Sequence, residues 1–161
     1  MMVSIHAAVG MSTSLLFYKK VDTEPNKMKR YITPLLLNIA LHGIMDLMPH
    51  SHVLPAISDI IIALLLPAFV IPFVKKKYLP LMLVCYLGSI LPDVIDLGIF
   101  RVLGFGAFRI FPWHFFEVYH FLEAIYTSQF INILFDALLV FTCFILIFWK
   151  RKDVQLMLRA E

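Results

Sequence analysis

Long apolar runs separated by short polar segments are the dominant pattern of this 161-residue chain. A membrane-spanning helix needs about 20 consecutive apolar residues, with a range of about 17–25. Five runs reach or approach that length, and we interpret each as a helix. They are Val3–Tyr18, Tyr31–Met48, Ala56–Val74, Leu79–Phe100 and Phe130–Trp149. The first run is short, so the sequence leaves open whether it spans a membrane or lies flat on it.

Composition supports a membrane protein. The chain is 61% hydrophobic and 16% charged, whereas soluble domains are about 45–50% apolar and about 25% charged. We therefore predict an all-α, multi-pass transmembrane helical bundle that forms one integral-membrane domain over residues 1–161. The aromatic-rich stretch 101–129 predicts an interfacial loop with a short helix near Phe115–Ile125.

The distribution of basic residues predicts the orientation. Twelve of the 14 lysines and arginines fall in segments 19–30, 75–77 and 150–159, on one side of the alternating topology. Positive charge favours the cytoplasmic side. We therefore expect a cell (inner) membrane protein with its N-terminus outside and its C-terminus in the cytoplasm. The lysines at 75–77 predict an anchor beside anionic lipid, and we expect no nucleic-acid partner.

Polar residues of two predicted helices then fall near the outer leaflet. His42, Asp46 and His50 lie in the second helix or just past its end, and Asp93 and Asp96 lie in the fourth. Carboxylates and imidazoles are costly inside a bilayer, so such a cluster is by default a functional-site hypothesis. Residues four apart share a helix face, so His42 and Asp46 can point at the same ion.

Further candidates lie at the same predicted end. His6 begins the first helix, and in the aromatic loop His120 with Glu123 forms a better-spaced pair than His114 with Glu117. Asp93 and Asp96 are the expected catalytic carboxylates. The expected metal ligands are His6, His42, Asp46, His50, Asp93 and His120.

Mixed histidine and aspartate ligation suits zinc, with manganese and iron as alternatives. A catalytic zinc site keeps an open position for water, and a spare carboxylate nearby can accept the proton of that water. Cys85 and Cys143 have no CxxC spacing, and we interpret them as reduced packing residues. Asp59, in the first turn of the third helix, is expected to cap that helix with Ser58.

Three motifs resemble a known family. They are His6-x-x-x-Gly10, His42-x-x-x-Asp46 followed by Pro49-His50, and Leu91-Pro92-Asp93-x-x-Asp96. Together they resemble the small inner-membrane metal-dependent hydrolases, whose polar motifs have been likened to the zinc sites of phospholipase C. The resemblance touches residues 1–125 and implies a metal-dependent hydrolase whose site contains the six expected ligands.

The predicted function is therefore metal-dependent hydrolysis of phosphoester or lipid-like substrates at the outer leaflet. The alternative is a non-enzymatic membrane protein, either an ion or metal carrier or a structural or assembly protein. A carrier predicts polar groups that continue into the inner halves of the helices. An assembly protein, whose histidines and aspartates only hold helices together, predicts that no metal co-purifies.

Overall fold

The computed structural model describes residues 3–49, 55–105, 108–115, 118 and 128–158. These residues form helices and helical turns, so the all-α prediction is confirmed. The helices are α1 (Val3–Phe17), α2 (Lys20–Thr23), α3 (Lys27–Asp46), α4 (Ala56–Val70), α5 (Leu79–Asp93), α6 (Gln129–Trp149) and α7 (Arg151–Met157). Shorter pieces are the 3-10 turns Ile71–Phe73 and Pro112–His114, the π-helical stretch Val94–Ile99 and the turn Phe100–Val102.

Three helical segments are long and apolar enough to cross a membrane, which agrees with a membrane protein. They are Ala56–Phe73, Leu79–Ile99 and Gln129–Trp149. Only 6% of the last segment is buried inside the protein, so most of its apolar surface faces outward. The other two predicted spans differ from these. Helix α1 has 15 residues, and α3 has 20 residues but opens with a basic turn.

Helix α1 is the central helix of the bundle, because it packs against α3, α4, α5 and α6. Close approach to α5 depends on Gly10. A Cβ atom there would lie 2.1 Å from Ser89 Oγ and 2.8 Å from the carbonyl oxygen of Cys85. Since α1 contributes fully buried residues such as Ala7, it does not lie flat on the bundle surface.

Two side chains decide where helices begin. The Asn26 side chain accepts hydrogen bonds from the backbone N–H groups of Met28 and Lys29, which starts α3 four residues before the predicted Tyr31. Asp59 does not cap its own helix as expected. Its carboxylate instead accepts the N–H groups of Val3 and Ser4, so it caps the start of α1.

The basic segments meet at the opposite end of the bundle. Lys77 Nζ lies 3.0 Å from the Asp22 carboxylate, and the Tyr18 hydroxyl donates to Asp153 at 2.5 Å. This hydrogen bond raises the pKa of Tyr18 to about 12, with burial acting in the same direction. The bundle therefore has a basic end and, around the start of α1, a second end that holds buried histidines and aspartates.

Candidate metal site

Two helix ends and one loop bring the polar side chains of this second end together. The last turns of α3 carry His42 and Asp46 on one face, since residues four apart in a helix are neighbours. The last residue of α5 is Asp93. His114 arrives from the 3-10 turn in the loop, where the ring of Trp113 packs on α3.

One side-chain atom from each of His42, Asp46, Asp93 and His114 lies within 4.8 Å of the others. We call these four residues the His/Asp cluster. Asp46 Oδ2 is 2.9 Å from the Nε2 atoms of both histidines. Asp93 Oδ1 is 3.3 Å from His114 Nε2 and 3.6 Å from His42 Nε2. The two Nε2 atoms are 3.5 Å apart. A group of this chemistry and size can hold a metal ion.

The spacing of the cluster fits a small divalent ion. Zinc binds nitrogen and oxygen ligands at about 2.0–2.1 Å, which places neighbouring ligand atoms of a tetrahedral site about 3.3–3.4 Å apart. The five separations given above range from 2.9 to 3.6 Å and bracket that value. For these five pairs of atoms an ion would need adjustments of only a few tenths of an ångström, and all four ligand atoms lie within 4.8 Å of one another.

Hydrogen bonds to the far side of each ring fix the orientation of both imidazoles. His42 Nδ1 is 2.6 Å from the carbonyl oxygen of Ser89, and His114 Nδ1 is 3.0 Å from Asp96 Oδ2. Both oxygens only accept, so both Nδ1 atoms carry the hydrogen. In a neutral imidazole the other nitrogen then carries a lone pair. When both rings are neutral, both Nε2 lone pairs point into the cluster, which is how metal-ligating histidines are usually held.

This arrangement requires positive charge at its centre. A lone pair directed at a carboxylate oxygen is repelled unless a proton or a metal ion lies between them. The pKa of His114 reflects the same requirement. Burial lowers it, but hydrogen bonds to Asp46, Asp93 and Asp96 outweigh burial and raise the pKa of His114 to about 10. The carboxylates thus attract a cation to the place where the Nε2 atoms meet.

Asp96 holds the loop and its histidine in place. It is fully buried in the π-helical stretch that follows Asp93, and π-helical turns are frequent at functional sites. Its carboxylate accepts the backbone N–H groups of Ile110 and Phe111, at 2.9 and 3.0 Å, as well as the ring N–H of His114. These three hydrogen bonds favour a positioning role over the catalytic role that the sequence predicts.

His6 contacts the cluster from α1 without belonging to it. Its ring stacks on His42 with a centroid distance of 4.0 Å, and its Nε2 lies 3.1 Å from Asp46 Oδ1. The contact is with the carboxylate oxygen that faces away from His42 and His114. His6 is therefore placed to donate to Asp46 and orient it, rather than to share the central ion.

Access to the cluster is uneven. The His42 side chain is completely buried, whereas Asp93 keeps 12% of its side chain exposed and Asp46 keeps 10%. His114 is intermediate at 7%. The part of the cluster that is open to solvent is therefore its carboxylate side.

The structure brings together three of the six ligands expected from the sequence, namely His42, Asp46 and Asp93. His50 and His120 lie outside the described residues, as does most of the short helix predicted near 115–125. His114 is the member that the sequence ranks below His120. No local spacing identifies it, because its position depends on the hydrogen bonds that Asp96 makes to the loop.

No protein-family model, curated protein or solved structure matches this chain. The resemblance carried by the three sequence motifs therefore stays a prediction. The case for function rests on the geometry of the His/Asp cluster and on the membrane character of the helices around it.

Proposed function

We propose that this protein is a membrane-bound metal-dependent hydrolase and that the His/Asp cluster is its active site. The proposal depends mainly on one observation. Two imidazoles are held through Nδ1 by fixed acceptors while both Nε2 atoms lie 2.9 Å from the same oxygen of Asp46. Such an arrangement of two Nε2 atoms around one carboxylate oxygen is favourable when a proton or a metal ion lies between them.

The proposed ligands are His42, Asp46 and His114, and the proposed ion is zinc, with manganese and iron as alternatives. Three protein ligands are typical of catalytic zinc sites, which keep one position open, whereas structural zinc sites are closed by four. When bound, the ion would polarise a phosphoryl oxygen and make water nucleophilic at neutral pH. His6 and Asp96 would hold the ligands in position.

The proposed general base is Asp93. It is the most exposed member of the cluster, and its separations from the two Nε2 atoms, 3.3 and 3.6 Å, are longer than those of Asp46. A carboxylate beside an ion, but not required to bind it, can accept the proton of an attacking water molecule. Asp93 would transfer that proton onward to the leaving oxygen or to solvent from its exposed side.

Location supports the proposed substrate class, which is a lipid or another phosphoester at the outer leaflet. The cluster lies at the end of the bundle opposite to the basic segments, and positive charge favours the cytoplasmic side. The N-terminus would then be outside and the C-terminus in the cytoplasm. The cluster would open beside lipid headgroups, which are themselves phosphoesters.

The test is hydrolysis of phospholipids and generic phosphoesters by the purified, zinc-loaded protein. Asp93→Asn should keep its zinc and lose turnover, because the substitution removes the base but leaves the three ligands. Asp153→Asn, at the basic end, is the matched control and should keep both zinc and turnover. Chelator-insensitive turnover, or equal turnover in Asp93→Asn and wild type, would contradict the proposal.

A second candidate is a structural role for the cluster in a non-enzymatic protein. It is favoured by the observation that a proton on His114 also satisfies Asp46 and Asp93 without any ion. This alternative predicts that purified wild-type protein contains no stoichiometric metal and that added zinc leaves its unfolding unchanged. Stoichiometric, exchangeable metal would exclude it.

A further inference from the structure

A second feature lies towards the basic end of the bundle. A cavity of about 340 Å³, partly open to the surroundings, lies between α1, α4, α5, α6 and α7, with walls that include Leu15, Leu66, Phe144 and Met157. Its volume lies within the ~300–1,000 Å³ typical of ligand pockets, which are clefts or cavities lined mostly by apolar side chains.

Water is a poor occupant. Within the described part of the chain, Ser12 and Ser14 are the hydroxyl-bearing residues that line the cavity, and the rest of the wall is apolar or a thiol. The Ser14 hydroxyl already donates to the carbonyl oxygen of Met11 at 2.6 Å. A buried water molecule typically needs two to four polar partners. The walls do not offer them, so the fitting occupant is apolar.

The cavity is partly open, so an occupant can enter it from outside the bundle. Phe144 lines the cavity and is 64% exposed, so part of the wall belongs to the outer surface of α6. An extended hydrocarbon chain is narrow enough to enter such an opening.

The cavity is closed at the basic end and bordered by helices apolar enough to lie in lipid. The backbone N–H of Lys75 donates to the carbonyl oxygen of Met157 at 2.8 Å, and Val74 bridges to Leu158 beside it. Helices α4 and α6 expose large apolar side chains on their outer faces. A membrane around these helices would bring lipid hydrocarbon to the open side of the cavity.

We propose that this cavity is a binding site for the hydrocarbon chain of a membrane lipid. The bound chain buries apolar surface against α1, α4 and α6 and fills space that the side chains leave open. The site is separate from the His/Asp cluster, because no cluster residue lines the cavity among the residues that the structure describes. Occupancy of the cavity and metal binding can therefore be tested independently.

The experiment uses the full-length protein in vesicles that contain a phospholipid with a photoreactive diazirine in its acyl chain. After illumination, mass spectrometry maps the labelled peptides. Val140→Phe fills the cavity from α6, and Leu138→Phe is its matched control, because Leu138 lies two residues away, is 55% exposed and does not line the cavity. Leu66→Phe fills the cavity from the opposite wall and checks the result with a second variant.

Wild type should be labelled at the cavity-facing residues of α1 and α6, including Met11 and Cys143. Val140→Phe and Leu66→Phe should reduce that labelling several-fold, whereas Leu138→Phe should leave it unchanged. A cooperative unfolding transition in mixed micelles for all three variants shows that they fold. Equal labelling in the filled and control variants, labelling confined to the outer faces of the helices, or cross-links to a second copy of the chain at the cavity residues would overturn the proposal.

Discussion

The two ends of the bundle use charge in opposite ways. At the basic end, Lys77 and Asp22 pair at 3.0 Å while about half of each side chain (52%) remains exposed. At the other end, His42 is completely buried against Asp46, whose carboxylate is 10% exposed. Water solvates and screens the first pair, so that pair has little effect on the fold. The second group is shielded from water, and its charges have to be balanced inside the protein.

The two ends also differ in how many partners each carboxylate has. One carboxylate, Asp46, contacts His6, His42 and His114, and a second carboxylate, Asp93, contacts two of the same rings. A lysine–aspartate pair neutralises itself, whereas this group needs a proton or a metal ion between its rings and its carboxylates. Exposed ion pairs at the basic end therefore have little effect on the fold, whereas the buried cluster holds charges that have to be balanced inside the protein.

The largest expected effect comes from Asp46→Asn. This change removes the oxygen that both Nε2 atoms face and halves the carboxylate charge of the cluster. Metal affinity should fall by more than the ~10–100-fold that loss of an outer partner costs. Metal content by mass spectrometry and affinity by calorimetry measure it. Asp153→Asn is the control at the basic end. Equal loss of metal in both variants would show that the two ends of the bundle do not differ in metal binding.

The dependence of metal binding on pH should follow His114. Its metal-free pKa is raised to about 10, and a protonated imidazole cannot bind an ion. Apparent metal affinity should therefore weaken as pH falls below about 10, by up to ~tenfold per pH unit. The same shift stabilises the metal-free fold most fully below the ordinary histidine pKa of about 6.5 and is lost as pH rises through about 10. Competition titrations at several pH values measure how the apparent metal affinity changes with pH. An affinity that does not change with pH would contradict this expectation.

An intermediate effect is expected from Asp96→Asn. The substitution weakens the acceptor that holds His114 Nδ1, and loss of such partners typically costs 10–100-fold in metal affinity, on the order of 1–3 kcal/mol. The matched control is Asp59→Asn, a buried carboxylate that instead caps α1. The control should destabilise the fold and leave metal affinity unchanged. Equal loss of affinity in the two variants would show that Asp96 has no special relation to the site.

A smaller effect is expected on stability from Gly10→Ala. The added methyl group would meet Ser89 and the Cys85 backbone, and overpacking of this kind costs about 1–3 kcal/mol. Gly98→Ala is the control, because the nearest atom to its new Cβ would be 3.9 Å away. Unfolding in mixed micelles compares the two. If both variants unfold like wild type, the close contact between α1 and α5 is not required.

The smallest effect is expected from Lys77→Ala. The hydrogen bond to Lys77 lowers the pKa of Asp22, but both side chains are exposed, so their pairing should leave the unfolding midpoint and the metal content unchanged. The measurement is again the unfolding midpoint in mixed micelles. A fall in that midpoint as large as the one expected for Gly10→Ala would show that the exposed pair stabilises the fold and that the two ends do not differ in this respect.

Hydropathy was sufficient to predict the long helices. The runs Ala56–Val74, Leu79–Phe100 and Phe130–Trp149 match observed helical segments closely, because a helix that faces lipid must be apolar along its length. Helix spacing was sufficient to place His42 beside Asp46. Both features are encoded locally, within one helix.

Features that depend on contacts between distant segments could not be predicted. The start of α1 is capped by Asp59, 55 residues away from Ser4. The position of His114 depends on backbone groups near residue 110 that bond to Asp96. Hydrogen bonds between distant segments produce no regular spacing of residues in the sequence. His114 could therefore not be ranked above His120 from spacing.

X-ray absorption spectroscopy of the zinc-loaded, purified protein is the decisive measurement of the metal site, because it reports which atoms surround the ion. We expect two imidazole nitrogens and carboxylate or water oxygens at about 2.0–2.1 Å, with the imidazole signal reduced in His114→Ala. Sulfur at about 2.3 Å would instead place the ion at the cysteines, and a shell of oxygen without imidazole would show surface binding. Either result would contradict a metal site whose ligands are His42, Asp46 and His114.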